Sequence, residues 1–250
     1  MPPGPSVDLW FADRGEGEPF VLLHPGGVDS RALDPLLDGL TGHYRLITPD
    51  QRGHGRTPDV DGPLGHDLMA ADTAALIDRL GCGPVHLFGY SDGAIVALHV
   101  ALARPDLVRD LVFAAAPFHH EGWHAGVLDG DPPAFLADSY GEVSPDGRDH
   151  WPVVVAKLDR MHHESPVVTT EQLHRLTLPV LVVLGDDDEV RLEHAVEMYQ
   201  ALPDGELAVV PRSTHAVIVE KPDLLVRLVR DFHDPDKGDG YVPLRRAGRG

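Results

Sequence analysis

The stretch VHLFGYSDGAIVALHV (residues 85–100) sets an apolar, β-branched run directly against a helix-like one, with GYSDG at the join. A strand that ends at Tyr90 and a helix that starts near Asp92 force Ser91 into a sharp, strained turn. Small neighbours are needed there, and Gly89 and Gly93 supply them. Such a turn holds the hydroxyl clear of the backbone, while the free amides at the helix N-terminus point toward any oxyanion formed beside it. Glycine-x-serine-x-glycine alone occurs by chance in many chains. The strand-turn-helix setting makes Ser91 a candidate nucleophile rather than a plain turn serine.

Outward from this turn, further short apolar runs end in turn signals: PFVLLHPGG from Pro19, YRLITPDQRG from Tyr44, VRDLVFAAAP from Val108, PVLVVLGDDD from Pro179 and ELAVVP from Glu206. They read as buried parallel strands. Leu33, Leu36, Leu37 and Leu40 keep helical spacing after a cap at Ser30, and Leu68, Leu76, Ile77 and Leu80 do so later. Alternation of strand and helix predicts an α/β fold, a mostly parallel twisted sheet with helices on both faces and ligands at the carboxyl ends of the strands.

The rhythm breaks between Pro117 and Leu178, where Gly, Pro, Asp and His cluster. This segment is too long for a bare loop and is expected to carry short helices, one around Trp151 to His163. The expected organisation is a core over 1–116 and 179–233, a cap insertion over 117–178, and a mobile tail over 234–250 with little to bury.

The 250 residues and 42% hydrophobic content suit one large domain. With 21 basic against 40 acidic side chains the net charge is −19, which repels nucleic acid and anionic lipid. The single cysteine, Cys82, cannot form an intramolecular disulfide. The N-terminus lacks the pattern of a signal peptide, and no apolar run approaches a membrane span, so the expected location is cytoplasmic.

A serine hydroxyl needs a histidine base and a carboxylate to orient it. Asp186, Asp187 and Asp188 follow one downstream strand and His215 follows the next, in the order Ser, Asp, His. On these residues the chain resembles an α/β-hydrolase fold serine hydrolase, a likeness running from about Phe20 to Phe232. The resemblance implies that Asp188, last in a G-D-x-D motif, is the acid, with Asp186 shaping the turn and Asp187 the alternative. It implies that His215, in RSTH, is the base, with Arg212 standing where the family usually has glycine. HPGG (24–27) corresponds to the family's His-Gly loop. Because Pro25 has no amide hydrogen, the second oxyanion donor beside the Asp92 amide is Gly26, with Gly27 the alternative. His24 is expected to brace that loop, and DQRGHGRT, with Arg52 and His54, to form a structural turn. Pro222 suits the first turn of the last helix.

The expected activity is hydrolysis of a small carboxylic ester or lactone through an acyl-enzyme, without metal or organic cofactor, by a monomer or homodimer. Amide cleavage, carbon–carbon bond hydrolysis and perhydrolysis on the same triad are alternatives, and so is a non-catalytic ligand-binding receptor of the fold. Two features stay open. The Asp92 side chain either meets a substrate ammonium, or caps its own helix or a nearby loop. The cap histidines, His120 and His124 among them, lack a zinc-site pattern. Phe118, Trp123, Phe135, Tyr140, Trp151 and Met161 are expected to line an apolar cap wall.

Overall fold

In β2 (Glu18–Leu23) Phe20 and Leu22 face one side of the sheet while Val21 and Leu23 face the other, and all four are fully buried. A strand apolar on both faces belongs in the middle of a sheet covered twice. The computed structural model, which describes residues 7–130, 132–236 and 242, has this arrangement. Its strands β1 (Phe11–Arg14), β2, β3 (Tyr44–Pro49), β4 (Val85–Tyr90), β5 (Val108–Ala114), β6 (Val180–Asp187) and β7 (Gly205–Thr214) form one sheet ordered β1-β3-β2-β4-β5-β6-β7. All neighbours pair in parallel except β1, which runs antiparallel to β3 at the edge.

The helices are α1 (Asp34–Leu40), α2 (His66–Leu80), α3 (Asp92–Ala103), α4 (Ala134–Val143), α5 (Trp151–Glu164), α6 (Thr170–His174), α7 (Leu192–Ala201), α8 (Val217–Glu220) and α9 (Pro222–His233). One face of the sheet packs on α1, α8 and α9 through Leu36, Leu40, Ile218, Leu225, Val229 and Phe232. The other packs on α2, α3 and α7, and the same apolar cluster continues into Tyr140, Trp151, Val154, Leu158 and Met161 of α4 and α5. A fold of the α/β-hydrolase class follows.

Three local expectations change. β1 is an added edge strand with a faint sequence signal, because FADR is short and only partly buried. The 3-10 turn before α1 is capped by Asp29, whose carboxylate accepts the Arg31 amide, rather than by Ser30. Phe135 is 66% exposed and lines no wall. The segment between β5 and β6 carries α4, α5 and α6, with α5 spanning the helix expected near Trp151. Of the expected tail, 234–236 and 242 are described; the rest lies outside the described residues.

Candidate active site

Ser91 sits between β4 and α3 at φ 54°, ψ −124°, a backbone that side chains rarely adopt. The flanking glycines are required by contact. A Cβ at Gly89 would collide with the Gly93 carbonyl and the Ala94 backbone, and one at Gly93 with the carbonyl of Leu23. The turn is pinned from below by Ser91 N–H donating to the Ala114 carbonyl at 2.9 Å.

The ends of β6 and β7 bring two further groups to this turn. His215 Nε2 lies 3.1 Å from Ser91 Oγ, and its Nδ1 lies 2.9 Å from Asp188 Oδ1. The Asp188 side chain is wholly buried. It also accepts the Val190 amide on Oδ1 and the Gly185 amide on Oδ2, each at 3.1 Å. Burial opposes the His215 imidazolium, yet the hydrogen bond to Asp188 and its charge, with Glu189 adding to them, raise the pKa above the usual value. Asp186 accepts the Ser213 amide at 3.1 Å and so holds the start of the histidine loop, while Asp187 is exposed. Arg212, in the place of the family's glycine, takes φ 55°, so arginine carries a left-handed backbone there.

The loop after β2 passes in front of the serine. His24 Nε2 accepts the Gln51 amide at 3.0 Å, and Gly27 N–H donates to His54 Nε2 at 3.2 Å. His54 is held neutral chiefly by burial, its pKa pushed down to about 4, which leaves that nitrogen free to accept. Arg52 forms a buried ion pair with Asp72 at 2.5 Å. The Gly26 amide has no protein acceptor among the described residues, and neither does the Asp92 amide at the start of α3.

The sequence from residue 20 to 228 matches the profile of the "Alpha/beta hydrolase family". The chain belongs to this family. It is 31% identical over 272 residues to a non-heme chloroperoxidase of Streptomyces lividans, covering 88% of this chain and 95% of that one. It is 24% identical over 238 residues to an (E)-2-((N-methylformamido)methylene)succinate hydrolase of Acinetobacter baylyi, covering 85% and 89%. Among solved structures, a meta-cleavage product hydrolase from Pseudomonas fluorescens superposes with a TM-score of 0.74 at 20% identity, over 92% of this chain and 97% of that one. That likeness speaks for the fold.

In this α/β hydrolase α5 lies against the loop after β2. A Cβ at Gly27 would stand 3.6 Å from the Trp151 ring and 3.9 Å from Leu158. Trp123 packs edge-on against His215, ring centroids 5.8 Å apart. Two contacts at the site had no readable sequence signal. Tyr90 OH donates to the backbone carbonyl of His215, tying that residue to β4. The Asp92 carboxylate neither caps α3 nor stands open to the site: it is paired with His66 of α2 and His162 of α5. A histidine's spacing along the chain says nothing about which buried carboxylate it will meet.

Among the described residues one group could hold a metal ion, His86, Asp110 and His233, whose ligand atoms lie within 4.8 Å of one another. It lies toward the other end of the sheet, since His86 is five residues before Ser91, about 16 Å along a strand. His86 Nδ1 is hydrogen-bonded to Asp110 Oδ2 at 2.7 Å, and His233 Nε2 faces Asp110 Oδ1 at 3.1 Å as an ion-pair contact. No helix among the described residues is long and apolar enough to cross a membrane.

Proposed function

We propose that this hydrolase cleaves a small carboxylic ester or lactone through an acyl-enzyme on Ser91. One observation carries the reading: Ser91, His215 and Asp188, from three separate strand ends, form an unbroken hydrogen-bonded chain. In it Ser91 Oγ attacks the carbonyl carbon as its proton passes to His215 Nε2. Asp188 keeps the His215 Nδ1 proton in place and stabilises the imidazolium. The oxyanion is held by the amides of Gly26 and Asp92. Support for Gly26 over Gly27 comes from the commitment of the Gly27 amide to His54. His215 then returns its proton to the leaving group, and water activated by the same imidazole releases the acid. A small substrate is favoured because Trp151 and Leu158 close over Gly27.

The test is labelling by a fluorophosphonate, together with turnover of p-nitrophenyl esters. Wild-type protein should label at Ser91, and Ser91→Ala should lose turnover by about 10⁴-fold or more. A folded protein that never labels at Ser91 would refute the reading. Cleavage of a carbon–nitrogen bond is the second reading, favoured by the Acinetobacter relative named as hydrolase of an N-methylformamido compound. Faster turnover of amides than of matched esters would select it. A ligand bound equally by wild type and Ser91→Ala, without turnover, would instead mark a receptor.

A further inference from the structure

The Asp92 carboxylate lies against the loop that carries Gly26: a Cβ added to Gly26 would collide with Asp92 Oδ2. This side chain is therefore a buried anion beside the place where acyl transfer on Ser91 puts a second negative charge. Left alone, it would oppose formation of the oxyanion that its own amide stabilises.

Two imidazoles reach it from opposite directions. His66, from α2, has a side chain with no exposure; its Nε2 is 3.3 Å from Asp92 Oδ1 and its Nδ1 is 2.8 Å from Ser165 Oγ. A serine hydroxyl can donate to Nδ1 while Nε2–H donates to Asp92, so both ring nitrogens of His66 have partners without a second proton. His162, from the cap helix α5, is closer, with Nε2 2.7 Å from Asp92 Oδ2, and its side chain keeps 24% exposure through which a proton can exchange. The two rings lie nearly parallel, centroids 6.5 Å apart, so two positive charges there would repel and the charge belongs on His162.

Other groups around the pair agree with this placement. His99, stacked on the far side of His66, is pushed down to about 4, chiefly by burial, and is neutral. His54, facing Asp92 from the loop after β3, is neutral as well. Asp159, one turn before His162 on α5, adds negative charge that favours the imidazolium. Burial works against ionisation of both partners, yet their mutual charge raises the His162 pKa and keeps Asp92 ionised.

We propose that His162 is a charge-compensating positioning residue: the docked cap helix supplies the cation that cancels the Asp92 carboxylate, so that oxyanion stabilisation is complete only with the cap in place. The proposal rests on the reading of Ser91 as an acyl-transfer nucleophile. It makes Asp92 a joint between cap and oxyanion hole rather than a receptor for a substrate ammonium.

The experiment is a double-mutant cycle with p-nitrophenyl acetate on wild type, His162→Gln, Asp92→Asn and the double variant, with a separate aliquot of each labelled with fluorophosphonate to count reactive Ser91. Glutamine keeps a hydrogen-bond donor for Asp92 but no charge. The expected result is a loss of kcat of about tenfold for His162→Gln, with KM changed much less. In the Asp92→Asn background the same substitution should cost less than about twofold, because no charge is left to cancel. A second readout leaves position 162 untouched. Wild-type kcat should fall as pH rises through the titration of His162 above 6.5, and this limb should vanish in Asp92→Asn. Equal loss from His162→Gln in both backgrounds, or a limb that survives in Asp92→Asn, would overturn the proposal while leaving the hydrolase reading intact. Absence of Ser91 labelling in wild type would overturn both.

Discussion

Glu189 Oε2 stands 3.8 Å from His215 Nε2, the nitrogen that faces Ser91. In the proposed mechanism His215 must be neutral to accept the serine proton, and its pKa is raised chiefly by Asp188 against the effect of burial, with Glu189 contributing. The acid limb of kcat/KM should therefore lie above 6.5, and Glu189→Gln should move it down while leaving the plateau nearly unchanged; a pH–rate profile of both proteins checks this. Gly26→Ala is a second case at this scale. The new methyl has to displace the Asp92 carboxylate from His66 and His162 or shift the loop, either of which moves a proposed oxyanion donor, and kcat should fall about 100-fold together with a lowered melting temperature. Arg212 shows the opposite tolerance. Its left-handed backbone costs about 1 kcal/mol, close to the chain entropy a glycine would lose there. Arg212→Gly should thus leave stability and turnover near wild type, as a melting curve and an ester assay would show.

At the scale of elements, each reactive side chain is delivered by the end of a strand, and Tyr90 joins two of those ends. Its hydroxyl donates to the His215 carbonyl and lies 3.5 Å from the Ile218 amide, so β4 holds the turn between β7 and α8. Tyr90→Phe leaves that carbonyl without its donor, at about 1–3 kcal/mol, and should lower kcat more than it raises KM, because the base is displaced and not the substrate. The parallel strands were legible because each is an apolar run ended by a turn signal, and residues 85–100 carried the elbow in plain sight. β1 was not, since an edge strand exposed on one side has little apolar content to read. The partners of Asp92 were hidden for a different reason. His66 and His162 are 26 and 70 residues away from it, and only the packing of α2 and α5 brings them together. Phe135 shows the converse, an aromatic residue in the expected segment that the packing leaves outside.

Across the whole molecule the lower end of the sheet is tied by ionised groups. His86 faces Asp110 through Nδ1 and Glu18 through Nε2, while His233 joins Asp110 to Tyr44 and so anchors the last helix. Burial disfavours the charged forms, but the two histidines bring the Asp110 pKa from 3.8 down to about 2, a stabilisation of about 2 kcal/mol. It is present above 3.8 and is lost as pH falls through about 2. His86 is shifted the other way: burial lowers its pKa, but Asp110 prevails and raises it above 6.5. Its contribution is complete below 6.5 and is lost as pH rises through the folded value. Wild type should therefore lose more stability between about pH 6 and pH 9 than His86→Gln does, as urea unfolding at the two pH values would measure.

The elbow has a consequence for how such a molecule can change. Gly93 presses on the carbonyls of Leu23 and His24, and Gly89 presses on Gly93 and Ala94, so the serine turn and the end of β2 are a single close-packed block. Almost no substitution there can be accommodated one at a time. New substrates are more readily gained by varying α5, whose Trp151, Leu158 and His162 meet the neighbouring loop and Asp92 from outside, and in a library under selection the accepted changes should gather there while positions 89 and 93 stay glycine.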